Sequence, residues 1–124
     1  MNNLFTKIKC VNRDEFVYYI RGIKYHIEFT TLPLYNKDAV VKSIIIYGIH
    51  TIKIDSKISI ENQKHCLIHE LCHSVIYETQ LCPMVNYTEE HLCELMAMYG
   101  EHIVDAANKI IHKRYIDNDN KNKR

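Results

Sequence analysis

Two histidines and a glutamate within residues 69–73 have the types and spacing of a metal-binding site. The segment reads H-E-L-C-H, an H-E-x-x-H pattern. On a helix, His69 and His73 stand one turn apart on one face, so that both imidazoles can bind one zinc ion. Glu70 lies between them and can take a proton from a water bound at the ion's open position. The pattern therefore predicts zinc chemistry with Glu70 as general base, provided that the segment is helical.

The residues around this pattern favour a helix. Positions 59–79 contain neither glycine nor proline, Ser59 is suited to cap a helix, and Glu61 places negative charge in the first turn. Apolar residues recur there at helical spacing, namely Ile68, Leu71, Cys72, Val75 and Ile76. We therefore expect a helix over 59–79 with the pattern in its middle. The alternative is that both histidines are incidental residues of an amphipathic helix, and a third ligand decides between the two.

A third ligand is needed because a catalytic zinc usually has three protein ligands and one open position. The metzincin continuation requires a glycine and a third histidine, but this chain has Ile76 and Thr79 there. A second long helix is predicted from Thr88, and Glu94 lies in it within an otherwise apolar surround. Because a buried carboxylate is unfavourable unless it meets a cation or a metal, we expect Glu94 to be the third ligand. His91, one turn earlier, is the alternative.

The remaining chain predicts strands that pack on these helices. Residues 16–20 and 23–30 are rich in β-branched and aromatic side chains and are separated by an Arg-Gly pair, as in a hairpin. Further strands are expected at 40–47 and 49–55, the second of them just before the motif helix. These elements predict a small antiparallel or mixed β-sheet packed on two long helices, an α+β fold.

The chain of 124 residues is long enough for one domain with a modest core. We expect that domain to cover residues 1–116, followed by a polar, disordered tail over 117–124. Within residues 1–15, Leu4, Phe5 and Ile8 have helical spacing, which favours a short opening helix.

Composition and charge exclude several classes of protein. The formal net charge is +1, so no broad positive field for nucleic acid is expected. No apolar run approaches the ~18 residues that span a bilayer, and the first residues lack a secretory signal core. The five cysteines are odd in number and irregularly spaced, which favours a reducing cytosol. Cys72 and Cys93 are expected in the core, with soft metal ligation as the alternative.

A predicted strand, the H-E-x-x-H helix and an E-x-x-A sequence on the next helix together resemble the gluzincin metallopeptidases. Over residues 44–107 the chain is most similar to the small ImmA/IrrE-like and minigluzincin proteins of phages, prophages and mobile elements. The chain departs from the usual pattern at Cys72, where many members have glycine, and at Met98, where asparagine is frequent. The resemblance implies a minimal zincin-like domain with Glu70 as catalytic base and one Zn²⁺ ion bound by His69, His73 and Glu94.

From the motif and the resemblance we expect a zinc-dependent metalloendopeptidase in the cytoplasm of a bacterium or a phage-infected host. Its partner is expected to be a polypeptide substrate, such as a phage or mobile-element regulator. The strand at 49–55 is expected to align that substrate through a free edge, and Tyr87 or His91 to stabilise the oxyanion. The alternative is a non-catalytic zincin-fold module that binds a protein and holds a structural metal. An intact Glu70 favours the peptidase, since a structural site needs no base.

Overall fold

The computed structural model describes residues 3–79 and 89–117, which form an α+β fold. The elements are, in chain order, β1 (Phe5–Asn12), β2 (Glu15–Ile20), β3 (Ile23–Thr30), β4 (Leu34–Asn36), β5 (Ala39–Val41), β6 (Ser43–Ile46), β7 (Thr51–Asp55), α1 (Ile60–Thr79) and α2 (Glu89–His112). Five strands form a mixed sheet in the order β1-β2-β3-β7-β6, while β4 and β5 pair separately. The predicted class, a small mixed sheet with two long helices, is confirmed at this level.

The predicted hairpin is present as the antiparallel pair β2–β3. Its turn consists of Arg21 and Gly22, whose φ angles of 50° and 84° suit a two-residue hairpin connection. On β3, Tyr25 and Ile27 are almost fully buried. In the sequence, Ile23, Tyr25, Ile27 and Phe29 alternate with polar residues, which predicts one apolar face for this strand. That face lies on the core except at Ile23, which is exposed.

The predicted opening helix is wrong, because these residues form β1, which pairs antiparallel with β2. The register shifts between Thr6 and Lys9, and Lys7 has a positive φ of 52°. This bulge breaks the two-residue alternation of the strand. It brings Phe5 and Ile8 onto the same core although they are three residues apart, a spacing that a helix would also produce.

The predicted strands before the motif helix are shorter than expected. Residues 40–47 are divided between β5 and β6, and β7 begins only at Thr51 because His50 adopts a left-handed conformation with φ 46°. β7 pairs in parallel with β3 and antiparallel with β6. The expectation that residues 49–55 form a free edge is therefore wrong. The outer strand on this side of the described sheet is β6.

The predicted motif helix is confirmed as α1. The Ser59 side chain caps it by accepting a 3.2 Å hydrogen bond from the amide of Asn62. Its buried face carries Leu67, Leu71 and Val75 but also polar side chains. Gln63 is held by Tyr115, whose hydroxyl donates to its side-chain oxygen at 2.7 Å. Polar groups on this face are thus paired rather than excluded from the core.

The second predicted helix is α2. Its apolar residues at helical spacing predict one buried stripe, formed by Leu92, Leu95, Met96, Tyr99, Ile103, Ala106 and Ile110. The structure differs from this stripe in part. Leu95, Tyr99, Ile103, Ala106 and Ile110 are buried as predicted. Leu92 and Met96 are exposed at 47% and 58%, so their predicted core positions are wrong. Thr88, from which this helix is predicted to begin, and the tail beyond Asp117 lie outside the described residues.

Candidate metal centre

The two histidine rings of the H-E-x-x-H segment face each other across one turn of α1. Their Nε2 atoms are 3.2 Å apart, and their ring centroids lie 4.8 Å apart at an interplanar angle of 72°. His69 is exposed and His73 is half-buried. The pair therefore borders solvent, and an ion can reach it. The predicted proximity of the two imidazoles is present in the structure.

The separation of the two nitrogens fits a shared ion. Zinc binds histidine nitrogen at ~2.0–2.1 Å with tetrahedral geometry, which places two such nitrogens about 3.3 Å apart. The 3.2 Å between the Nε2 atoms of His69 and His73 is close to that value. A ligand oxygen of Glu70 completes a group whose atoms all lie within 4.8 Å of one another. Two imidazoles and a carboxylate are a donor set that suits zinc.

Burial favours the neutral form of His73, which is the form that binds metals. Desolvation lowers the pKa of His73 from its ordinary value. The neighbouring Glu70 carboxylate raises that pKa and His69 lowers it, but burial is the largest cause. A metal then competes less with protons at this ring than at an ordinary exposed histidine.

The Glu70 side chain points into the protein rather than into solvent. Only 4% of its surface is exposed, and its Oε2 atom accepts a 2.6 Å hydrogen bond from the hydroxyl of Ser43. Ser43 is the first residue of β6 and pairs with Ile54 of β7, and Ile54 belongs to the same core cluster as Leu71 of α1. This hydroxyl therefore joins the outer strand directly to the motif.

Ser43 is a site residue that the sequence reading missed. It is a lone hydroxyl in a strand otherwise made of three isoleucines. The alternation of β6 places it on the same face as Ile45, toward the core. Such a polar residue on an apolar face is the signal that would have identified it, because a buried hydroxyl requires a partner.

Glu94, the predicted third ligand, lies on α2 and is exposed. The prediction rests on an apolar environment for Glu94. The structure does not place Glu94 in such an environment, since Leu95 is the residue that lies in the buried stripe of α2. Among the described residues, the compact group of ligand atoms comes from α1 alone and does not include Glu94. A role for Glu94 as ligand stays a prediction.

The other candidates near the motif have different positions. Cys72 is half-buried and packs against the core, as expected, and burial raises the pKa of its thiol. Cys93 is exposed, so its predicted core position is wrong. His91 lies half-buried in the first turn of α2. Tyr87 lies outside the described residues.

Hydrogen bonds from the sheet hold the part of α1 that follows the motif. The Tyr18 hydroxyl donates to Ser74 at 3.0 Å, and the Tyr25 hydroxyl donates to a Glu78 oxygen at 2.6 Å. Both rings are fully buried and stack on each other with centroids 5.2 Å apart. The orientation of α1, and with it that of His73, is fixed by these contacts to β2 and β3.

Comparison with family models, with curated proteins and with solved structures found no match to this chain. In the part of the chain that the structure describes, neither helix has the length and apolar character needed to cross a membrane.

Proposed function

We propose that this protein is a zinc metalloendopeptidase in which His69 and His73 bind the ion and Glu70 is the general base. The observation that carries the proposal is the 3.2 Å separation of the two Nε2 atoms, with the Glu70 carboxylate in the same compact group. A zinc ion held there would acidify a bound water and polarise a substrate carbonyl.

Glu94 is proposed as the third protein ligand. It lies on α2, which packs against α1, and its carboxylate is accessible to solvent. Because this carboxylate is exposed, an ion can reach it. A carboxylate from the neighbouring helix would leave one position open for water.

The proposed work of Glu70 is proton transfer. Its Oε2 atom is engaged by Ser43, which leaves Oε1 to take the proton of the attacking water. The same carboxyl group then delivers that proton to the leaving amine. Burial of the side chain favours this role, because a base that is fixed by its surroundings spends little time in unproductive rotamers.

The proposed substrate is an extended polypeptide aligned by β6. This strand is the outer one of the described sheet, and its Ser43 contacts Glu70. Main-chain hydrogen bonds from such an edge can orient a peptide beside the catalytic group. By the resemblance alone, a regulator of a phage or mobile element in a bacterial cytoplasm is the proposed source of that polypeptide.

Turnover of an unfolded polypeptide tests the proposal. Zinc-loaded protein is incubated with casein, and wild type is compared with Glu70→Gln and with Glu61→Gln, an exposed acid of the same helix. We expect Glu70→Gln to keep its zinc and to lose roughly 10²-fold or more in rate, while Glu61→Gln cleaves like wild type. Equal cleavage by all three proteins, or zinc binding with no cleavage by wild type, contradicts the proposal.

A second candidate is a non-catalytic binding module with a structural metal. It is favoured by the composition of the compact group, in which Glu70 stands within 4.8 Å of both histidine ligand atoms while Glu94 is outside. In that case Glu70 is itself a ligand. Glu70→Gln would then lower zinc affinity, whereas in the peptidase it lowers turnover and leaves the zinc content unchanged.

A further inference from the structure

The hydroxyl of Ser43 forms a hydrogen bond that restrains the Glu70 carboxylate. Its Oγ atom lies 2.6 Å from Glu70 Oε2, the distance of a short hydrogen bond to a charged carboxylate. Ser43 is half-buried and lies in regular pairing with Ile54. The donor is thus anchored by the sheet and not by a mobile loop.

Glu70 is close enough to the histidines to act as a metal ligand. One of its oxygens belongs to the group of ligand atoms within 4.8 Å of one another. Carboxylate oxygen binds zinc at ~2.0–2.2 Å, so a small rotation of the side chain would bring it to an ion shared by His69 and His73. A carboxylate bound to the ion could not act as a free base for water. The proposed peptidase therefore needs a contact that holds this carboxylate back.

We infer that Ser43 is a positioning residue that holds the Glu70 carboxylate out of the metal's coordination and so keeps it available as a base. This inference rests on the metal site of the proposed function. The hydroxyl occupies a lone pair of Oε2, and the carboxylate must break a charge-assisted hydrogen bond before it can move to the ion. Without the hydroxyl, the cation attracts the buried carboxylate, and Glu70 becomes an additional ligand.

A double-mutant cycle on metal affinity tests this inference without any substrate. Co²⁺ is titrated into metal-free wild type and into Ser43→Val, each with and without Glu70→Gln. With Ser43 present, we expect Glu70→Gln to change the dissociation constant by less than about threefold. In the Ser43→Val background, where Glu70 is expected to bind the ion, the same substitution should weaken binding about tenfold or more.

Ser43→Thr is the matched control, because threonine has the shape of valine and keeps the hydroxyl. It should behave like wild type in the cycle, and its Co²⁺ absorption spectrum should be unchanged. The spectrum of Ser43→Val should differ from wild type, since an oxygen ligand is gained. Ser43→Ala serves as a second hydroxyl-free variant if valine does not fold, with the same coupling expected. Equal effects of Glu70→Gln in all Ser43 backgrounds would overturn the inference.

The double-mutant cycle and the casein assay test different claims, so that one claim can be contradicted while the other is supported. If the metal titration shows coupling but casein is not cleaved, the role of Ser43 is supported and the proposed peptidase activity is contradicted. If casein is cleaved in a Glu70-dependent way but the titration shows no coupling, the role of Ser43 is contradicted and the peptidase activity is supported. If wild type binds no Co²⁺ at all, both are wrong.

Discussion

The hydroxyl of Tyr18 on β2 donates a 3.0 Å hydrogen bond to the hydroxyl of Ser74 on α1, the residue that directly follows His73. Neither side chain has measurable solvent exposure. The Ser74 hydroxyl in turn donates to the Leu71 carbonyl at 2.7 Å. A fully buried chain of hydrogen bonds therefore runs from the sheet into the turn of helix that carries the second histidine.

Tyr18→Phe is expected to destabilise the protein by about 1 kcal/mol, the usual contribution of one buried neutral hydrogen bond. The ring remains, so its packing on Tyr25 is kept. Urea unfolding followed by circular dichroism measures the change. The control is Tyr35→Phe at an exposed position of β4. Equal free energies of unfolding for Tyr18→Phe and wild type would contradict this role of the bond.

The free energy of unfolding is expected to fall as the pH rises above about 10. Burial raises the pKa of Tyr18 and of Tyr25 above the ordinary value of 10.0, and Glu78 raises that of Tyr25 further. The folded protein keeps these protons in a pH range where the unfolded chain releases them, so alkali favours unfolding. Denaturation midpoints between pH 8 and 11 measure this effect. In Tyr25→Phe the decline should be shallower, and an identical decline would show that Tyr25 does not contribute.

In the acidic range of pH, the stability of the connection between β7 and α1 is expected to depend on the Asp55 carboxylate. Its Oδ1 atom accepts a 2.8 Å hydrogen bond from the Lys57 amide, and this bond is the main reason why the pKa of Asp55 lies below its ordinary value. Because folding lowers the pKa of Asp55, its contribution to the free energy of unfolding is complete at a pH above the ordinary pKa. This contribution is lost as the pH falls through the lower pKa of the folded protein. Asp55→Asn should weaken the dependence of stability on pH below 4, whereas Asp38→Asn, on an exposed turn, should not.

Gly100→Ala is expected to stabilise the protein by about 0.5–1 kcal/mol, because glycine is unfavourable inside a helix. An added Cβ would meet the Met96 methyl at 3.0 Å, and Met96 is a flexible, exposed side chain that can turn away. Thermal unfolding should show a higher midpoint. Met96→Ala/Gly100→Ala removes the contact and tests whether it limits the gain. A lower midpoint in both variants would show that Gly100 is needed for another reason.

The local patterns predict the elements in which one chemical signal dominates. The cap at Ser59 and the alternating apolar residues of β3 are present as predicted, because each follows from neighbouring residues in the chain. The opening strand is mistaken for a helix, since a bulge at Lys7 produces a three-residue apolar spacing within β1. Such a bulge depends on pairing with β2, and a pattern read along one segment does not contain that information.

In the candidate site, too, contacts within one element can be predicted from the sequence, whereas contacts between elements cannot. The proximity of His69 and His73 follows from helix geometry alone and is present. The contact of Glu70 with Ser43 spans 27 positions and depends on how β6 lies against α1, so no spacing in the sequence encodes it. Exposure of Glu94 likewise depends on which stripe of α2 is buried, and Leu95 takes that place.

Anomalous scattering at the zinc absorption edge, from crystals of the zinc-loaded protein, tests most directly whether the two imidazoles share an ion. We expect one peak within roughly 2.0–2.1 Å of the Nε2 atoms of both His69 and His73, with a third protein ligand supplied by Glu94. The opposite result would be zinc bound elsewhere, or no peak between the rings and the two Nε2 atoms hydrogen-bonded to each other. That result would contradict the proposed metal centre and the peptidase activity that depends on it.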